Sequence, residues 1–228
     1  MIKSHPSEAL LYQYAAGDLS SALSLVVATH IDMCPTCQQN VAELEDELCK
    51  HYFGSTEAAV AQGARLSQLN TNQMLEAIFA SASQEQVNNP LPIENMICLE
   101  GKRFNLPPAL ARNSDRIGPW SHMVGKLWRA PLNVGNDENI NLIYMDQGAI
   151  VPEHTHKGVE ATLVVNGTFN DEKDSYHDGD FILLDAEHKH TPQTHSEDCL
   201  TLACLDAPLH FTSGISRLLN PFSSLFFR

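Results

Sequence analysis

"PEHTHKGVEATLVVNG", residues 152–167, decides how the second half of this chain is read. Its latter part, ATLVVNG, has the apolar and β-branched residues of a strand followed by the Asn-Gly of a turn. Its first part puts two histidines and a glutamate where a strand could have packed valine. Alternate residues of a strand point to one side, so His154 and His156 share a face. Glu160 has the same parity and can rejoin them after a local turn at Lys157-Gly158. A third imidazole from a neighbouring strand would complete a set of three histidines and one carboxylate. Such a set suits zinc, iron, manganese, nickel or copper, and donor identity alone does not choose among them.

The surroundings of this stretch share its period of two. WSHMVGKLWRAPL, ENINLIYMDQGAIV, GDFILLDA and CLTLACLD are short β-rich runs, punctuated by NVGNDEN and NGTFNDEKDSYHDGD. Several such strands with turn signals predict a small barrel or jelly roll over residues 96–228. Upstream the pattern changes. Residues 1–85 are rich in Ala, Leu, Gln and Glu, and Pro6 and Pro35 stand where helices should start. Helices are expected in SEALLYQYAA, stopped by Gly17, in SALSLVVATHIDM behind Ser20 or Ser21, in the run opened by Pro35, and in SQLNTNQMLEAIFAS with its apolar stripe Leu69, Met74, Leu75, Ile78 and Phe79. The polar and proline-rich residues 86–95 read as a linker. The expected fold class is therefore α+β in two domains, a helical bundle followed by a β barrel. The apolar C-terminal run LLNPFSSLFF is expected to fold back onto the barrel or onto a second copy, so a homodimer through the barrel is one expectation.

Net charge narrows the partners. The chain carries 14 Lys and Arg against 28 Asp and Glu, a formal charge of -14. Residues 1–85 hold 3 basic and 10 acidic residues, so the shorter half is the more densely acidic. Such a surface repels nucleic acid and anionic lipid and attracts a basic protein. The start, MIKSHPSEALLYQY, lacks an uninterrupted apolar segment of signal-peptide type. Apolar runs fall far below the roughly 20 residues of a membrane span. A cytoplasmic protein with six reduced cysteines is expected.

Two of those cysteines carry chemistry. HIDMCPTC, residues 30–37, spells H-x3-C-x2-C. Cys34 and Cys37 flank a proline at an expected helix start, where the amide groups and the dipole favour thiolate. Two thiolates at this spacing take two corners of a tetrahedron, and His30 can take a third. Structural zinc wants a closed fourth corner. His5, ahead of the first helix, is the natural candidate, with His51 in reserve. Cys49 is expected to be partly buried and inert, and Cys199 and Cys204, at odd spacing on a strand, to be ordinary core residues facing opposite ways.

The spacing from His5 to H-x3-C-x2-C, within about 80 helical residues, resembles the zinc-binding anti-sigma domain. Gly148, five residues, His154-Thr-His156, three residues, Glu160, six residues and Gly167 resemble the first cupin motif. Gly179 followed by His190 reproduces the spacing of the second, with Asp185, Glu187 and Thr194 where the family has proline, glycine and asparagine. His190 is then the third imidazole, with His188 and His195 as competitors. Together the halves resemble the ChrR-type anti-sigma factors. That resemblance implies zinc at His5, His30, Cys34 and Cys37, and zinc or another divalent transition metal at His154, His156, Glu160 and His190. It implies a regulator rather than an enzyme, which holds an extracytoplasmic-function sigma factor and releases it under oxidative stress such as singlet oxygen. The rival reading is a dioxygenase-like cupin metalloenzyme with a helical regulatory domain, for which Tyr144, Tyr176 or Glu187 would serve as acid or base.

Overall fold

The computed structural model describes residues 1–54, 75–77, 79, 95–135, 139–155, 158–206 and 210–212. Most of the expected linker, His156 and the apolar C-terminal run lie outside the described residues, as does most of the expected fourth helix. Of that helix Leu75 and Phe79 are described, and both are exposed rather than part of a core.

Three helices open the chain, each bounded by the residue chemistry that starts or stops it. In α1 (Glu8–Ala16), Ser7 accepts the Leu10 N–H at 3.3 Å, and Gly17, at φ +77°, ends the helix in the left-handed conformation that glycine adopts without strain. In α2 (Ser21–Met33), Ser20 is the cap and receives the Leu23 N–H. Pro35 opens α3 (Pro35–Phe53) and forces the residue before it out of the helical region. Cys34 is therefore both the last cap of α2 and the first cap of α3, at φ -118°. One residue separates two helices, and that tight corner sets His30, Cys34 and Cys37 together.

After the hairpin β1 (Met96–Leu99) and β2 (Lys102–Asn105) comes a short helix, α4 (Pro108–Ala111). The Asp32 carboxylate of α2 accepts the Ala109 N–H at its start. The larger sheet runs β3 (Ser121–His122), β4 (Leu127–Leu132), β5 (Asn139–Met145), β11 (Cys199–Leu205), β7 (Glu160–Asn170), β8 (Ser175–His177), with β9 (Phe181–Leu184) also paired to β7. A smaller sheet places β6 (His154–Thr155) between β10 (Lys189–His190) and β12 (His210–Phe211). Every strand pairing among the described residues is antiparallel.

All seven residues of β11 are buried, although the strand alternates like any other. One of its faces looks into the barrel; the other lies under the helices. A single apolar cluster runs from Leu11, Val26 and Val27 through Leu110 to Leu142, Leu163 and Leu202. The helical bundle is thus packed on the outer face of the β5–β11–β7 sheet. Within that sheet the register slips between Leu200 and Thr201, which pair with Asn166 and Val164 and leave Val165 as an extra residue. This bulge changes which parity of β7 faces inward. Gly167 just beyond it sits at φ +88°, and a Cβ there would lie 2.0 Å from the Asp198 carbonyl oxygen. No helix among the described residues is long and apolar enough to cross a membrane.

Candidate metal centres

The ligand atoms of His5, His30, Cys34 and Cys37 lie within 4.8 Å of one another. His30 is fully buried, and both cysteines are nearly so. The Nδ1 of His30 is 2.8 Å from the Gly179 carbonyl oxygen, which can only accept, so the proton of the neutral ring sits on Nδ1. The Nε2 lone pair then points at Cys37 Sγ, 3.3 Å away. His5 enters from the extended arm ahead of α1, with Nδ1 3.4 Å from the sulfurs of both Cys34 and Cys37. Zinc bound at about 2.3 Å to sulfur and about 2.0–2.1 Å to nitrogen separates adjacent tetrahedral S and N ligands by about 3.5 Å. The four donors therefore fit a tetrahedral zinc ion, and donors of this type select it over calcium or magnesium. His51, the reserve ligand, is exposed at the end of α3 and meets the Tyr52 ring edge-on.

Burial sets the chemistry of these groups. It pushes His30 down to about 4, so the imidazole is neutral at neutral pH. Burial and then the neighbouring Cys34 thiol push Cys37 up to about 12. At Cys37, burial outweighs the pull of the α3 start toward thiolate. Cys49, expected to be partly buried, is exposed. Cys199 and Cys204 are buried, as expected.

In the barrel, His154, Glu160 and His190 bring their ligand atoms within 4.8 Å. β6 and β10 pair His154 directly with His190, and the two Nε2 atoms are 2.9 Å apart. His154 Nδ1 faces the Pro152 carbonyl oxygen at 2.9 Å, which again places the proton on Nδ1 and the lone pair on Nε2. Glu160, at the first position of β7, accepts the Thr162 hydroxyl at 2.7 Å. This donor set fits a divalent transition metal. His156, assigned to the same set from its parity, lies outside the described residues. His188, the competitor that a register slip would have exchanged for His190, instead meets Asp185 at 2.7 Å, and His195 is exposed.

Asp171 was not legible as part of this site. Its carboxylate is buried beside the ligands, 3.6 Å from His190 Nδ1. It belongs to the stretch after the Val165 bulge, so alternation counted from Glu160 points it the wrong way. A cavity of about 70 Å³ adjoins the ligands, lined largely by apolar side chains such as Met123, Leu127, Met145, Phe169 and Leu205. Tyr144, Tyr176 and Glu187 do not line it. The Tyr144 hydroxyl donates to Asp198 at 2.8 Å and receives Lys102 Nζ at 2.6 Å, and Glu187 is exposed.

Known proteins resemble this chain. Residues 114–208 match the family model described as the ChrR Cupin-like domain, and residues 7–38 match a putative zinc-finger family. The second match holds His30, Cys34 and Cys37 and begins just after His5. The anti-sigma-E factor ChrR of Cereibacter sphaeroides is 34% identical over 228 residues, 97% of this chain and 98% of that protein. The crystal structure of Rhodobacter sphaeroides SigE in complex with the anti-sigma ChrR aligns at a TM-score of 0.61 and 31% identity, covering 90% of this chain and 100% of the matched one.

Proposed function

The chain belongs to the ChrR family of anti-sigma factors, and from that premise we propose that its helical bundle holds an extracytoplasmic-function sigma factor in a zinc-dependent grip. The observation that carries the proposal is the convergence of His5, His30, Cys34 and Cys37. Bound zinc would supply a fixed tetrahedral crosslink. Its ligands come from the arm before α1, the end of α2 and the start of α3, so the relative pose of all three depends on it. In a bundle this small, metal-binding free energy is folding free energy. A grip that needs a fixed helix pose is therefore conditional on the four ligands.

The surface is suited to such a partner. The density of acidic residues in 1–85 favours a basic protein, such as the DNA-facing parts of a sigma factor. Leu10 and Leu11 of α1 are buried in the core and so are not offered to a partner. Tyr12, Tyr52 and Phe53 are the exposed large apolar side chains on α1 and α3, and we assign them to the sigma-facing surface. The barrel ligands His154, His156, Glu160 and His190 are proposed to hold a second divalent metal whose site governs release under oxidative stress of the singlet-oxygen kind.

The test is co-purification of the full chain with extracytoplasmic-function sigma factors, with and without a zinc chelator, coupled to a transcription assay. Capture and inhibition that disappear on chelation support the reading. Capture that survives Cys34→Ser with zinc lost would sink it.

A further inference from the structure

The first residues of the chain and the start of β9 are laced together. Asp180 is 1% exposed. Its Oδ1 accepts the N–H groups of Lys3 and Ser4 at 2.7 and 2.9 Å, and its Oδ2 accepts the His177 N–H at 2.8 Å. The Phe181 N–H donates to the Ser4 carbonyl oxygen at 2.9 Å. Gly179 offers its carbonyl to His30 Nδ1, and at φ +86° its own Cβ, if it had one, would sit 2.4 Å from Ile2 Cδ1. Phe181 also stands edge-on to the His30 ring, with centroids 6.0 Å apart. Three consecutive barrel residues thus hold two of the four zinc-site side chains. They hold His30 directly, and His5 through the main chain just ahead of it.

The same strand continues into the other site. Ile182 and Leu184 line the cavity, and Leu184 pairs with Glu160. From Gly179 to Leu184 is five residues, about 17 Å of extended chain. One end of β9 lies under an imidazole of the helical site, and the other lies beside a carboxylate of the barrel site.

We infer that Gly179, Asp180 and Phe181 form an outer-shell clasp on the zinc site, and that β9 transmits displacements of the barrel's metal site to His5 and His30. This rests on the zinc reading above and extends it to a route between the two centres. Outer-shell partners fix the tautomer and aim of a ligating histidine, and losing one costs about 10–100-fold in metal affinity. Asp180 touches no ligand atom; it is a positioning residue. Its buried carboxylate is satisfied by main-chain N–H groups from both sides of the interface, so a shift of β9 that strands it is costly, and the arm moves with the strand. The hydrogen-bond contacts of the Cys34 and Cys37 sulfurs run to His5 and His30, whereas both histidines are tied to the barrel, so the histidine half of the site is the half that the barrel loosens.

Cobalt(II) is the probe, because its sulfur-to-metal charge-transfer band reports only a site containing thiolates, and the barrel ligands include none. The full chain is loaded with cobalt, mixed with excess EDTA, and the decay of that band is followed. Asp180→Ala is expected to decay about 10–100 times faster than the unaltered chain. So is Ser4→Pro, which removes a donor to Asp180 while leaving the barrel sequence intact. Asp180→Asn keeps one carbonyl oxygen for the arm but sets its amide NH2 against the His177 N–H, and is expected to decay at a rate between those of the unaltered chain and Asp180→Ala. Glu160→Ala, at the far end of β9, is expected to accelerate decay at least about threefold. Unchanged decay in both Asp180→Ala and Ser4→Pro overturns the clasp, and an Asn variant as fast as the Ala variant overturns the positioning role. Unchanged decay in Glu160→Ala overturns transmission through β9. A chain that never develops the band, or a Cys34→Ser variant that keeps it in full, overturns the zinc reading itself.

Discussion

Four side chains that are individually unremarkable become a site because each ring nitrogen or sulfur has only one thing left to do. His30 is the clearest case. Its Nδ1 proton is committed to a carbonyl and its Nε2 lone pair faces sulfur, so it is built to receive a cation and not to carry a proton. Cys37 is the complement, held protonated by burial until a cation displaces the proton. Cys37→Ser should therefore weaken zinc binding by more than about 100-fold, beyond the range of an outer-shell loss, as measured by competition with a chelator of known affinity. A pH dependence follows in the zinc-free protein. The folded His30 value of about 4 lies below the ordinary 6.5, so between those values the unfolded chain binds more protons than the folded one. Stability contributed by His30 is flat above pH 6.5 and is lost as pH falls from about 6.5 to about 4. Denaturant midpoints of the chelated protein measured across that window check the sign, and His30→Gln should flatten the slope.

At the scale of elements, two devices position the chemistry. The first is the one-residue corner at Cys34, which Pro35 enforces and which was legible because proline has a local effect on its predecessor. The second is the Val165 bulge in β7. Strand alternation groups Glu160 with His154, and their ligand atoms lie within 4.8 Å of each other, but the bulge reverses parity beyond Val165, and Asp171 enters the site by that reversal. Local sequence does not encode a bulge that arises from pairing with β11. The turn that follows it depends on Gly167, where any side chain would drive a Cβ into the Asp198 carbonyl at a positive φ. Gly167→Ala is expected to cost about 1–3 kcal/mol from backbone strain alone, read as a lowered thermal midpoint, with the barrel reporting the loss first.

For the whole molecule, the decisive feature is that one sheet serves both halves. Its inner face carries Glu160 and lines the apolar cavity, with His154 and His190 brought in by the smaller sheet; its outer face carries the helices. Leu202 on the middle strand is fully buried on the helical side, and Leu202→Ala should cost about 2–5 kcal/mol. Because the helices rest on that face, the loss should also lower zinc retention, which a metal-release assay on the same samples would show. Substitution in the barrel site should behave differently. Glu160→Ala, which loosens the zinc site only a few-fold, is expected to leave most sigma capture in place in unstressed cells and to remove the further release when an oxidant is applied, and a reporter driven by the sigma factor would separate the two.

What the sequence determined by itself were the features set by neighbours along the chain. These are the helix starts and stops at Gly17, Ser20 and Pro35, the shared corner of His30, Cys34 and Cys37, and the change of period that separates helices from strands. Spacing also brought His5 and His190 into view, through the families they resemble. Tertiary structure alone decided that Leu10 and Leu11 are core, that Asp171 stands beside His190, and that Gly179 and Asp180 of the barrel hold the arm and imidazole of the helical site. The physical reason is the same in each case. Local propensity and side-chain period act over one or two turns of chain, whereas burial and hydrogen bonding between residues more than a hundred positions apart exist only once the sheet has formed and given the helices a surface to cover.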